Sequence, residues 1–267
     1  MAITLPGQTL RGVAAKLRQL SYVPTSWQGV LAGLNADGRS QLETFLHDLV
    51  REGGTPQLMA KVLEHLADQR EALQRERDAW SFVWSGPEPA HAKSADTFAT
   101  VDQLIQEAQT SLLIATYNIG RSFEFRELLR TIAERMQNNQ LERVDLFFHP
   151  IEIRKKLGSN PLTAVRDWFD SEVWSWPVKP NIYIDKRVLD GLAERVYQHA
   201  KVVIADAGTK RSRALVTSAN FSENGQRYNF EAGWLVRSTW RSDDVSKHFQ
   251  QMVAEGLFVL VPEELRS

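Results

Sequence analysis

Between Arg39 and Arg51 the apolar side chains Leu42, Phe45, Leu46, Leu49 and Val50 fall at the spacing of one helical face. Ser40 and Glu43 have capping-box spacing at the start of this segment, and Gly53-Gly54 stops it. A second helix is expected directly after, with Thr55 as cap, Pro56 in the first turn, and Leu58, Val62, Leu63, Leu66 and Leu73 along its buried side. Leu10, Val13, Ala14, Leu17 and Leu20 repeat the pattern upstream. Together these segments predict a small all-α N-terminal domain over residues 1–80.

The pattern changes near Trp80. Phe82-Val83-Trp84, stopped by Ser85-Gly86-Pro87, reads as a strand ending in a turn, and residues 88–97 read as loop. Helices are expected at Val101–Ala108 and Phe123–Asn138, and strands at Leu112–Thr116 and Val144–His149. Further strands are expected at Asn181–Ile184, Val196–Asp206, Ala214–Ser218, Gly233–Val236 and Leu257–Val261. Trp168–Pro180, with Trp174 and Trp176, fits neither period and reads as loop. Strands alternating with helices predict an α/β layer domain over residues 81–267.

Composition narrows the possibilities. A chain of 267 residues can bury a substantial core, and its apolar and charged fractions, 43% and 24%, are those of a globular protein. The formal net charge of -1 gives no overall attraction to nucleic acid or membrane, so any such contact must be local. With no cysteine, disulfides and thiolate metal sites are excluded, which fits a reducing compartment. Met1–Gln8 lacks the features of a signal peptide, and no apolar run approaches membrane-spanning length. The expected location is the cytoplasm.

The chemistry concentrates in Gln198-His199-Ala200-Lys201-Val202-Val203-Ile204-Ala205-Asp206. In a strand, His199 and Lys201 would project from the same face, about 6.6 Å apart along the chain. Ser218 and Asn220 repeat that spacing after Leu215-Val216-Thr217, and Glu231 stands just before another apolar strand. Such a set can cleave a phosphodiester. A neutral imidazole attacks phosphorus, a carboxylate fixes its tautomer, and an ammonium with neutral donors stabilises the non-bridging oxygens. A second imidazole is wanted to protonate the leaving oxygen.

His199, Lys201 and Asp206 match the H-x-K-x-x-x-x-D signature, and Ser218 and Asn220 the following G-S-x-N element, so the chain resembles the phospholipase D superfamily. That resemblance implies a mixed sheet flanked by helices. It also implies His199, Lys201, Ser218, Asn220 and Glu231 as catalytic residues, with Glu231 orienting the histidine and Asp206 bracing the motif loop. One departure is Thr217 where the family has glycine, which puts close backbone approach there in question. The family builds a site from two motif copies, and this chain has one; His149 is followed by Pro150 and lacks a lysine two residues on. Short bacterial members supply the second copy by homodimerising, so the resemblance implies that His199 of a second subunit acts as general acid. Val83-Trp84-Ser85-Gly86-Pro87, Tyr117 and His248-Phe249 extend the similarity to the DrmC family, phospholipase-D-like components of the DISARM anti-phage system.

Other residues have plainer readings. Lys210, Arg211 and Arg213 form a basic hairpin tip that could bind phosphate backbone at the mouth of the site, with Arg154, Lys155 and Lys156 as a second patch; the commoner role of such groups is a solvated surface. His47, His65 and His91 have no partners at metal-ligand spacing, and no metal or cofactor is expected. The leading functional expectation is a metal-independent nuclease acting on DNA in defence. Its expected partners are nucleic acid, a second copy and other defence proteins, not a membrane. The alternatives are a lipid-directed enzyme with the same residues, and a DNA-binding or scaffolding subunit with a weak or silent site.

Overall fold

A computed structural model describes residues 4–153, 155, 157–158, 160–192 and 195–263. The chain divides into two compact units, Met1–Asp78 and Ala79–Ser267. In the first unit, α1 (Gly7–Arg18), α2 (Ala36–Arg51) and α3 (Pro56–Asp78) surround a core that includes Leu10, Leu17, Trp27, Leu42, Leu46 and Leu63. Arg11 and Arg18 on α1 pair with Glu71 and Glu64 on α3, at 2.9 and 2.6 Å, so the two helices run antiparallel.

Thr55 Oγ1 accepts from Leu58 N at 3.2 Å and caps α3, as its position before Pro56 predicts. The capping box at Ser40 and Glu43 is not formed. α2 begins earlier, and the Asn35 side chain caps it by accepting from Gly38 N at 2.8 Å. Ser40 is then already inside the helix, with its backbone committed to it.

The second unit is a nine-stranded mixed sheet with helices on both faces, ordered β2-β1-β8-β7-β6-β3-β4-β5-β9. Its strands are β1 (Trp80–Ser85), β2 (Ala95–Asp96), β3 (Ser111–Thr116), β4 (Arg143–Phe148), β5 (Asn181–Asp185), β6 (Val202–Ala205), β7 (Arg213–Thr217), β8 (Glu231–Val236) and β9 (Phe258–Val261). β3, β4 and β5 are parallel, while β6, β7 and β8 form an antiparallel run joined to β3. α4 (Thr97–Glu107), α5 (Phe123–Gln137) and α6 (Pro161–Trp168) belong to the larger core, with Val101, Phe125 and Val165 buried in it. α7 (Thr239–Ala254) packs Phe249 against Phe147, Val202 and Ile204 on the opposite face. Val203 and Ala205 of β6 face the first core and Val202 and Ile204 the second, which explains an unbroken apolar run in place of an alternating one.

Two expected boundaries are corrected. The strand expected from Val196 forms only from Val202, because the ladder to β3 stops at the Ala115–Val202 pair. Trp168–Pro180 is not a loop throughout: a π-helical turn, Phe169–Val173, continues α6, and Trp174 is fully buried with its Nε1 donating to Val178 O at 2.8 Å. Aromatic rings provide the packing there, Phe169 stacking on Trp174 and on Phe148, without the spacing of a long helix.

Candidate active site

The antiparallel order β6-β7-β8 brings the start of β6, the end of β7 and the start of β8 to one edge of the sheet. His199 and Lys201 enter β6 there, Ser218 and Asn220 leave β7, and Glu231 opens β8. The ladder is continued outside the strands by two backbone bonds, Thr217 N to Lys201 O at 3.1 Å and Ser218 N to Ala232 O at 3.0 Å. All five candidate residues therefore lie at one end of three adjacent strands, His199 being in the extended segment before β6 and not within it.

Lys201 is buried, 6% exposed, whereas His199 is open to solvent. The Lys201 Nζ lies 2.7 Å from Nδ1 and 3.0 Å from Nε2 of His199, and donates to His199 O at 3.0 Å. Desolvation first, then the Lys201 ammonium, holds the imidazole below its ordinary pKa of 6.5, with Glu231 opposing. Burial likewise lowers the Lys201 ammonium from 10.5, again against Glu231. An imidazole kept neutral beside a cation has the protonation state a nucleophile for phosphorus requires.

Glu231 accepts a short hydrogen bond from Ser218 Oγ, and a 3.2 Å bond from Asn229 Nδ2. Among the described residues it makes no bond to His199; its link to the imidazole is electrostatic. Asn220 Oδ1 is buried without a hydrogen-bond partner among the described residues. The turn carrying it is tightly packed: a Cβ on Gly225 would lie 2.8 Å from both Asn220 N and Asn220 O. The same loop is tied to the end of β3, where Thr116 Oγ1 accepts from Phe221 N at 2.9 Å.

Thr217, where glycine was expected, faces Gly233 across the β7–β8 ladder. A Cβ on Gly233 would sit 2.7 Å from the Thr217 Cβ. The close approach questioned for Thr217 is thus preserved by a glycine on the neighbouring strand. Gly233→Ala is expected to cost about 1–3 kcal/mol through overpacking, and Thr217→Gly added to it should recover part of that loss, the Val216 carbonyl remaining 2.8 Å from the new Cβ. Thermal unfolding of the single and double variants checks this; equal melting temperatures for both would contradict the pairing.

Asp206 occupies the far end of β6, with φ at 55°. Its buried carboxylate accepts from Gln109 N and Thr110 N, each at 2.7 Å, and ties the hairpin to the start of β3. This corrects the expected position of the basic hairpin. Lys210, Arg211 and Arg213 follow Asp206, and β6 spans four residues, about 13 Å, so they stand at the opposite end from His199. Arg213 is also paired with Glu107. Lys155 is exposed; Arg154 and Lys156 lie outside the described residues.

An aromatic wall behind His199 was not foreseen as part of the site. The Tyr117 ring lies 5.2 Å from His199 and stacks on His149 at 5.3 Å, with Tyr197 closing the cluster. Tyr117 and His149 directly follow the parallel strands β3 and β4, so the same sheet edge collects them. Position after a parallel strand was the available signal. A cleft of about 490 Å³ opens beside His199, lined by Arg187, Ala200, His248, Phe249 and Met252 among others.

Residues 101–253, over half of the chain, match the family described as "Cardiolipin synthase, PLD-like domain". The chain belongs to this phospholipase-D-like family of phosphodiesterases. A curated relative, the DISARM protein DrmC of Bacillus paralicheniformis, is 28% identical over 167 residues, which are 61% of this chain and 59% of that protein. The matched stretch thus spans about three fifths of the length of that relative. Among solved structures, NucT from Helicobacter pylori is similar at 17% identity and a TM-score of 0.42, covering 61% of this chain and 90% of that one. Nuc from Salmonella typhimurium, described as a phospholipase D family member, is similar at 14% identity and a TM-score of 0.42, covering 70% and 98%. No helix among the described residues is long and apolar enough to cross a membrane.

Proposed function

We infer that this chain is a nuclease that cleaves DNA through a phosphohistidine on His199, in a site shared by two subunits, as part of anti-phage defence. The observation that carries the chemistry is the contact between His199 and the buried Lys201 ammonium at the sheet edge where Ser218, Asn220 and Glu231 gather. Similarity to a DISARM protein supports the defence setting.

In the first step an imidazole nitrogen of His199 bonds to phosphorus and the P–O bond to the leaving group breaks. The leaving oxygen takes its proton from the imidazolium of the second subunit. In the second step that imidazole, now neutral, removes a proton from water. The oxygen attacks phosphorus, the P–N bond breaks, and His199 is restored. Lys201 bears on the non-bridging oxygens, and the Asn220 amide supplies a neutral donor. Glu231, bonded to Ser218, fixes that hydroxyl and moderates the charge on His199.

The test is cleavage of labelled DNA by the full chain in excess chelator, beside phospholipid vesicles as competing substrate. DNA cleavage without added metal is the expected result; release of lipid headgroup with intact DNA would transfer the function to lipids. No turnover of either would favour a binding or scaffolding role.

The pH profile is a separate check. Because the His199 pKa is held below 6.5, the acid limb of kcat/KM should fall below pH 6.5. Lys201→Met removes one of the two causes, so the limb of its residual activity should move upward. An unmoved limb would mean that another group controls it.

A further inference from the structure

α7 covers only part of its face of the sheet. Ala214, Val202 and Ile204 lie beneath it, but among the described residues of this unit no helix covers the same face across β7, β8 and β1. The register Val216–Trp234–Phe82 places these three side chains together, and Trp80 and Trp84 flank Phe82 at two-residue spacing. Val216, Trp234 and Phe82 are 42%, 49% and 37% exposed, and Phe230, which meets Trp84, is 71% exposed. Rings touch from Trp80 to Trp234 to Phe82 to Trp84, and Arg241 stacks over Trp80.

We propose that this aromatic face is where a second copy of the chain docks to complete the site. The proposal rests on the shared-site reading above and adds the surface through which sharing occurs. The exposed parts of these side chains amount to about 500 Å². That is within the range of a monomer's largest apolar patch and over half of the roughly 800 Å² that each partner contributes to a stable interface. The patch reaches the strand ends that carry the site, where the cleft beside His199 is lined by Phe249 and Met252 of the same face, while Lys201 and Glu231 alternate to the other face. A copy seated there by a two-fold axis abuts the edge that needs a second imidazole.

A nucleic-acid strand fits the same surface less well. Trp80 and Trp234 meet at 85° and Phe82 and Trp234 at 63°, so the rings pack edge to face instead of offering parallel platforms. Arg241 already stacks on Trp80 and Trp240, and exposed Asp244 follows three residues on. Stacking platforms for single strands come with a cationic track; aromatic rings with a stacked arginine are the make-up of protein interfaces.

The test is sedimentation of the full chain, wild type against Phe82→Ser/Trp234→Glu, with DNA cleavage at equal subunit concentration. The expected result is a wild-type dimer, a monomeric variant, and at least a tenfold loss of cleavage that recedes as concentration rises. Since the chain has no cysteine, Phe82→Cys, Val216→Cys and Trp234→Cys each provide a single thiol for a short bis-maleimide. Linked dimers are expected from these positions, and this measurement decides if the double variant fails to fold. A variant that stays dimeric, or thiols that do not link, would overturn the docking face while leaving the shared site standing. Loss of single-stranded DNA binding with the dimer intact would assign the face to nucleic acid and overturn the proposal. A monomeric wild type would overturn both readings.

Discussion

His199→Ala is expected to reduce DNA cleavage on the order of 10⁴-fold or more, with no change in fold. The imidazole is exposed and its main-chain segment lies outside the sheet ladder, so its removal leaves no cavity and breaks no strand pair. What disappears is the imidazole whose nitrogens lie beside the Lys201 Nζ. The loss should appear in kcat as much as in kcat/KM, because Lys201 and Asn220 remain to hold phosphate. Activity within tenfold of wild type, with unchanged thermal unfolding, would rule out the phosphohistidine route. A direct reading is the acid-labile phosphoryl adduct, trapped by rapid quench, present in wild type and absent in the variant.

The second large effect concerns stability at the other end of β6. Asp206 is 2% exposed, holds φ at 55°, and satisfies the amides of Gln109 and Thr110. Asp206→Ala strands those donors and puts a Cβ with no compensating bond in the left-handed region. The expected cost is about 3 kcal/mol or more, roughly 10 °C in melting temperature for a unit of this size. Asp206→Asn keeps an acceptor and tolerates that backbone conformation, so it should cost less than half as much. Calorimetry on the two variants checks the ranking. Variants of equal stability would show that the turn is held by something other than the carboxylate. Because Asp206 is a full strand length from His199, the turnover of the folded variant should stay near wild type.

Much of this arrangement was legible because it is written in side-chain type. The H-x-K spacing, the Ser and Asn that follow β7, and the acid before β8 remain readable even when the strand boundaries are not. The boundary near Val196 was misplaced since Val196 through Ala205 is apolar enough for a strand, yet its partner β3 ends at Thr116. Pairing, which a single segment does not encode, decides where a strand begins. The basic hairpin shows a different loss. Lys210 and Arg211 look close to His199 along the chain, but an antiparallel turn carries them to the far edge of the sheet. The tyrosine wall was hidden for the opposite reason: Tyr117, His149 and Tyr197 are far apart in sequence and meet only through the order of strands. Compensation of Thr217 by Gly233 was unreadable until the register joined them.

The H-x-K pair is anchored unequally. Lys201 is buried, and its carbonyl is tied to Thr217, while His199 stands three residues upstream of the first residue of β6 and exposed. In the proposed mechanism the clamp on the phosphoryl group would then be the stationary partner, and the attacking ring the one with freedom to turn. A phosphoryl group carried on such a ring would turn away from the departing strand to meet water, leaving the fixed Lys201 ammonium behind. Stiffening the segment ahead of β6, as with a proline at Ala200, should then slow release of the phosphoryl group more than its capture.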